Sequence, residues 1–428
     1  MTIKQLFSKK VFIILLIVYA IVTSVIAATY GGDFDVFLDA GRKLGKGGNI
    51  YVSPFVKGLQ YYYSNFFALL LMPFSYQVFV VEFLWSILSY FLLYRTFKLI
   101  ENYFDFSILN FKQQRIWVFT TILLSVQFIL YNVSMIQVTF FLLWAIFESI
   151  NLISKGKNIL GGSLLAFAIN VKLMPILILP FLFYRGYFKA LFAVIVTFIV
   201  LLYVPAIFIG YDYNNFLLVE WWKVINPTKK EHLIETGMHS IVSLIPAYLT
   251  ETVGDIDFKR NILNLSHKTV GMIVNLARLF ILSLSLFYLR TLPFKKENNK
   301  LKSFWELSFF ALIIPLLLPH QQKYAFILCL PMISYLLYFY ITTYQLIIFK
   351  KSTGYYFSFI IFIISMLLYS PLYGSDVIGK FLFIYTQHYK FLTFATLFII
   401  PISIYCNPKK FNMLFVLETN SDDKSQIT

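Results

Sequence analysis

Three carboxylates, Asp33, Asp35 and Asp39, fall within seven residues of the stretch Gly31 to Tyr63, GGDFDVFLDAGRKLGKGGNIYVSPFVKGLQYYY. The chain has only 20 acidic residues in 428, and these three follow directly on an apolar run. Acids beyond a membrane span are either simply solvated or held partly buried for a purpose. The order Asp33-Phe34-Asp35-Val36-Phe37 interleaves acids with large apolar side chains, in a strand-like or short helical piece that encloses part of its own backbone. A carboxylate so placed acquires the raised pKa and fixed direction that a general base needs. Asp33 and Asp35 are the candidate catalytic residues. Asp39 lies further on, before Arg42 and Lys43, where it can pair locally.

Lys172 offers the opposite charge. It interrupts the apolar run INVKLMPIL just before Met174 and Pro175. An ionisable side chain inside such a run is a functional candidate unless it snorkels to the interface. Its ammonium suits a phosphate. Arg278, within VNLARLFIL, is placed inside a predicted span, where it would pair with an acid. His320 heads the polar cluster His320-Gln321-Gln322-Lys323 after Pro319, and His239 with Ser240 precedes the short apolar piece Ile241 to Leu249. No Walker, GxGxxG or nucleophile-elbow pattern is present, so a nucleotide or nucleotide-sugar site has no support. Cys329 and Cys406 are far apart, and no metal-ligand spacing occurs. No cofactor is expected, although the clustered acids leave room for a divalent metal.

The elements that must hold these residues are apolar. The chain is 59% hydrophobic, 20% aromatic and 13% charged, with mean hydropathy +0.75. Soluble domains carry about 25% charged residues, so an all-α, polytopic membrane protein follows. The net charge of +16 reports orientation and anionic lipid rather than nucleic acid. Spans need about 20 apolar residues. Segments near 11–29, 76–99, 115–131, 134–153, 158–171, 173–184, 187–209, 269–290, 303–319, 324–349, 354–370 and 381–405 give about 11–12 transmembrane helices, with 158–184 a broken hairpin around Lys172. Residues 64–75 are apolar but end at Pro73, and read as a re-entrant or interfacial segment of the outer loop. The first segment reads as an uncleaved signal anchor. Residues 1–406 form one transmembrane domain and 407–428 a polar, disordered cytoplasmic tail.

Lys and Arg in the short loops set the orientation. Lys4, Lys9 and Lys10, then Arg95, Lys98, Lys112 and Arg115, then Lys155, Lys157, Arg185 and Lys189, then Arg290 to Lys302, Lys350, Lys351, Lys409 and Lys410 fall on one side. That side is the cytoplasm, with the N-terminus. The acidic loop, the long 210–268 loop and the His320 turn face outward, in a bacterial inner membrane.

With these residues in place, the chain resembles the family 87 glycosyltransferases, multi-span enzymes of the GT-C class. The family's opening acidic motif corresponds to Asp33-Phe34-Asp35-Val36-Phe37. Its Gly-x-x-(Leu/Ile)-Tyr element corresponds to Gly48-Asn49-Ile50-Tyr51, and its Tyr-rich approach to a Pro corresponds to Tyr61-Tyr62-Tyr63 and Met72-Pro73-Phe74. Ile136-Gln137-Val138-Thr139 is a degenerate form of its Gly-Gln-Val-Asn element, and Val171-Lys172-Leu173-Met174-Pro175 of its Ile-Lys-x-x-Pro element. Met238-His239-Ser240 echoes an Asn-Gln-Ser element, and Pro319-His320-Gln321-Gln322-Lys323-Tyr324 loosely matches a late His motif. The resemblance runs over roughly residues 1 to 340. It implies an inverting transfer of a hexose, typically mannose, from a polyprenyl-phosphate donor to a glycan or glycolipid hydroxyl outside the cytoplasm. Lys172, His320, Arg278, His239, Tyr63 and Gln321 would then bind donor phosphate or substrate. A flippase or transporter of lipid-linked sugars is the alternative, since it uses the same spans and intramembrane cations.

Overall fold

The computed structural model describes residues 9–226, 233, 237–290, 292–350, 353–370, 372 and 374–410. Among them there is no strand. That is the expected outcome for long apolar runs, because only internally hydrogen-bonded helices satisfy the backbone in lipid without a closed barrel. In chain order the helices are α1 (Lys9–Tyr30), α2 (Phe34–Gly45), α3 (Asn65–Leu71), α4 (Val78–Glu101), α5 (Phe111–Ser134), α6 (Thr139–Ser154), α7 (Asn158–Val171), α8 (Leu179–Tyr184), α9 (Phe188–Ile209) and α10 (Tyr211–Ile225). They continue as α11 (Ile241–Leu249), α12 (His267–Ser283), α13 (Ser285–Leu289), α14 (Lys300–Leu317), α15 (Leu330–Lys350), α16 (Thr353–Tyr369), α17 (Ser375–Ile378), α18 (Lys380–His388) and α19 (Phe391–Tyr405).

Six helical segments among the described residues are long and apolar enough to cross a membrane, or seven if the bent pair α18 and α19 counts as one span. The chain is thus a polytopic, all-helical membrane protein. The broken hairpin expected at 158–184 around Lys172 is present. The segments foreseen at 134–153, 158–171, 173–184 and 354–370 are apolar helices of 10–17 residues. Within the hairpin the break is local: at 172–178 the α-helix gives way to an extended residue and a 3-10 turn, Met174–Ile178, at Lys172 and Pro175. Sequence reading also left α10 inside a long loop.

The chain divides into two units. One holds residues up to 99, 130–176 and 189–226; the other holds 100–129, 177–188 and the chain from 227 onward. In the first, α1 and α9 bury only 17% of their apolar windows, as lipid-facing helices do. The α7 helix approaches its neighbours through Gly161 and Gly162. A Cβ on Gly162 would stand 2.4 Å from the Ala190 carbonyl oxygen, and one on Gly161 would stand 2.6 Å from that of Ser149. Small residues permit this close helix contact in place of a hydrophobic driving force, which lipid does not supply.

In the second unit the segment Lys323–Tyr344 is 83% buried and forms the centre, with α14 packed on it. Arg185, counted above among the loop cations, is only 1% exposed there. Its guanidinium forks onto both carboxylate oxygens of Glu306, itself fully buried. A buried, bidentate pair of this kind is a packing element. The polar tail beyond residue 410, Lys4 and Lys351 lie outside the described residues.

Candidate functional site in the first unit

The acidic stretch is mostly an amphipathic helix rather than a loop. In α2, Phe34, Val36, Phe37, Leu38 and Leu44 are buried, while Asp35 and Asp39 lie half-buried on its other side. Period-3.6 spacing of the apolar residues explains why this piece folds as a helix. Asp39 does pair locally, with Lys43 Nζ at 3.1 Å and Arg42 Nη2 at 3.6 Å.

Asp33 stands at the N-cap of α2. An Asp there ordinarily spends its side chain on the helix's own N–H groups, yet this one makes no capping bond. Instead its Oδ2 accepts a hydrogen bond from Gln137 Nε2, across the turn between α5 and α6. The backbone fixes the same junction: Asp33 N donates to the Met135 carbonyl at 2.9 Å. Gly32 makes this approach possible, since a Cβ on it would meet the Met135 carbonyl carbon and oxygen at 2.5 Å. Gln137 is held in turn by Trp85, whose indole N–H donates to the Gln137 carbonyl at 3.3 Å. Burial raises the Asp33 pKa above the ordinary carboxylate value, with Lys172, then Gln137 and Lys57, pulling the other way.

Lys172 ends α7 in an extended conformation and acts electrostatically on Asp33. Its ammonium also lies over the Tyr63 ring, 5.2 Å from the centroid, a cation–π arrangement. Tyr63 is 5% exposed and its ring packs 4.4 Å from that of Phe37 on α2. Three residues singled out from sequence, Asp33, Lys172 and Tyr63, are therefore gathered in one place. Asp35 is differently occupied. Lys57, from the turn Val56–Gly58, pairs with its Oδ2 at 2.7 Å and also donates to the Gly32 carbonyl at 3.3 Å.

The aromatic elements brace this arrangement. The Tyr51 hydroxyl donates to the Tyr63 carbonyl at 3.0 Å, and the Tyr61 hydroxyl to the Ser64 carbonyl at 2.8 Å. From α10, Tyr213 Oη donates to the Gly48 carbonyl at 2.7 Å and Trp221 Nε1 to the Tyr62 carbonyl at 3.1 Å. The helix that sequence reading missed is thus the back support of the Gly48–Tyr63 segment.

Glu82 is the other residue missed. It is fully buried on α4 and its carboxylate lies against that of Asp35. Its signal was present: one acid inside VFVVEFLWSIL meets the same criterion that picked out Lys172. Lys57 carried no such signal, because its role depends on a loop folding back over 25 residues.

The remaining candidates belong to the second unit. His239 N donates to the Gln321 carbonyl at 2.8 Å, so these two are neighbours, with His320 beside them at φ 57°. Burial, with Lys390 and Lys323 nearby, depresses His239 to about 3, leaving a neutral imidazole at pH 7. Gln321 Nε2 turns back onto the Pro319 carbonyl at 2.6 Å. Arg278 meets no acid among the described residues. Its Nε donates to the Leu317 carbonyl at 2.9 Å and its Nη1 to Asn275 Oδ1 at 3.2 Å, so it closes the end of α14 instead. No group of three or more His, Cys, Asp or Glu side chains is placed to hold a metal ion among the described residues.

These features define a helical membrane protein with a carboxylate, an ammonium and an aromatic face assembled behind its first span. The chain matches glycosyltransferase family 87 over residues 61–301, more than half its length, and belongs to that family. It is therefore a membrane glycosyltransferase. The matched region contains Tyr63, Lys172, His239 and Arg278, whereas Asp33, Asp35, His320 and Gln321 lie outside it. No curated protein and no solved structure matches the chain.

Proposed function

We propose that this glycosyltransferase moves a hexose, with mannose the first choice, from a polyprenyl-phosphate donor to a hydroxyl of a glycan or glycolipid on the extracytoplasmic side. The observation that supports this reading is that the Lys172 ammonium lies 5.2 Å over the ring of Tyr63, which packs 4.4 Å from Phe37 on the helix whose N-cap is Asp33, with Lys172 acting electrostatically on that carboxylate. Asp33 takes the acceptor proton as the acceptor oxygen bonds to the anomeric carbon. The bond from that carbon to the phosphate oxygen breaks, and the phosphate leaves with its electron pair. Attack opposite the leaving group inverts the anomeric centre. Phosphate needs no proton to depart, so the site must supply cationic stabilisation, which Lys172 provides. Tyr63, whose ring lies beneath that ammonium, supports it. A lipid-linked donor reaches a site at the end of a span sideways from the bilayer.

The direct test is reconstitution in liposomes with a panel of polyprenyl-phosphate hexoses and scoring of glycoside formation. Transfer from the mannose-linked lipid is expected. Movement of the lipid-linked sugar across the bilayer with no glycoside formed would replace this reading with the flippase.

Sidedness has its own test. Lys46 is exposed at the end of α2 with an ordinary φ of −95°, and both native cysteines are buried. Lys46→Cys, in a chain with Cys329 and Cys406 replaced by alanine, should react with an impermeant thiol reagent in intact cells. Labelling only after lysis would put the site in the cytoplasm.

A further inference from the structure

The second unit holds a group of buried cations that the reaction above does not use. Lys390 lies at the break between α18 and α19, where the chain bends by 59°. It is 1% exposed and adopts φ 56°. Its ammonium makes no hydrogen bond among the described residues, and Asp255 Oδ2, at 3.7 Å, is a loose partner that also receives none. Arg260 is 8% exposed. Its Nη1 donates to the His388 carbonyl at 2.8 Å, and its Nη2 to Thr252 Oγ1 at 3.0 Å and the Val253 carbonyl at 3.1 Å, while Nε has no acceptor. Those acceptors are neutral, and the one carboxylate acting on the guanidinium among the described residues is the same Asp255 that faces Lys390.

His388 completes the group. Its ring is almost fully buried, and Nδ1 accepts from Ile256 N at 3.5 Å. That places the ring proton on Nε2, which has no acceptor in hydrogen-bonding geometry, although the Phe258 carbonyl is near. Lys323 and Lys390 both act on the neighbouring His239 ring, which Gln387 also faces. The inventory is lopsided. Two cations, Lys390 and Arg260, and an imidazole N–H converge, and Asp255 is the one carboxylate recorded against them among the described residues. One carboxylate shared by two buried cations leaves a positive excess that is costly to bury, and unused donors without acceptors call for a ligand rich in acceptor oxygens.

We propose that the break between α18 and α19 is a binding site for a phosphate-ester anion, held by Lys390, Arg260 and His388. A phosphate ester carries the charge and the several acceptor oxygens that this donor-only group lacks. In a membrane protein that ester belongs either to a polyprenyl-phosphate lipid, which rests on the function proposed above, or to a bilayer phospholipid headgroup.

The test uses the full chain in nanodiscs of phosphatidylcholine, titrated separately with sugar-free polyprenyl phosphate and with phosphatidylglycerol, bound lipid being counted by native mass spectrometry. Lys390→Met should weaken one of the two probes by about tenfold or more, since it removes one partner of a buried charged contact. Lys390→Arg should largely restore it. Loss confined to polyprenyl phosphate assigns the site to the lipid carrier, and loss confined to phosphatidylglycerol assigns it to the headgroup. Arg260→Met and His388→Asn serve as second variants should Lys390→Met fail to fold. Unchanged binding of both probes in the folded variants would overturn the proposal. Because neither probe carries a sugar, failure here leaves hexose transfer untouched, and failure of transfer leaves this binding measurable.

Discussion

Asp33→Asn should lower transfer by about 10²–10⁴-fold, the usual span for loss of a general base, while expression and donor binding persist. Asn keeps the shape and can still face Gln137, but it has no carboxylate to take the acceptor proton. The geometry favours Asp33 over its neighbour. Asp35 is already neutralised by Lys57 at 2.7 Å and lies against Glu82, whereas Asp33 is fixed by Gln137 and by its backbone bond to Met135. Asp35→Asn should therefore cost less, and Asp39→Asn least, because Asp39 is paired with Lys43 and Arg42 on the same helix. The pH profile gives a second readout. A base acts ionised, so kcat/KM falls as pH drops through its pKa. Burial raises the Asp33 pKa, which displaces the acid limb above the ordinary carboxylate range. The limb should vanish in Asp33→Asn. Near-normal turnover in Asp33→Asn with collapse in Asp35→Asn would move the base two residues along; turnover in both would end the mechanism.

How far the sequence reaches is visible in particular residues. The apolar runs dictated helices throughout, and Ile241 to Leu249 became α11 with the same bounds, because run length and periodicity are local properties. Lys172 was legible for the same reason, as a charge where hydropathy allows none. What a single chain does not display is the partner across space. Gln137 reaches Asp33 over 104 positions, and only its place in a degenerate motif hinted at it. Lys57 is an ordinary loop lysine until the Val56–Gly58 turn swings it back to Asp35. Arg278 shows the converse failure: an arginine within an apolar helix suggested an acid partner, yet its Nε goes to a carbonyl left open at the end of α14. Backbone acceptors carry no residue identity, so no sequence pattern announces them. Glu82 alone was overlooked despite a readable signal.

Lys172→Met should reduce kcat by about 10²–10³-fold, the cost of removing one preorganised group that stabilises charge developing in the transition state. The substitution keeps an unbranched side chain of similar reach against Tyr63, so the packing of the ring survives while the charge is lost. Donor binding should weaken alongside kcat, because the same ammonium that steadies the departing phosphate also meets it in the ground state. A third readout separates this role from simple support of the fold. Lys172 is the main influence holding the Asp33 pKa down against burial; without it, the carboxyl becomes harder to ionise. The acid limb of kcat/KM should then shift to still higher pH, and activity should partly recover at alkaline pH. Lys172→Arg, which keeps the charge, should return the limb toward its original position even if its larger head binds the donor less well. A variant that folds and loses activity with donor affinity and the acid limb both unmoved would show that Lys172 only packs, and the phosphate would need another cation.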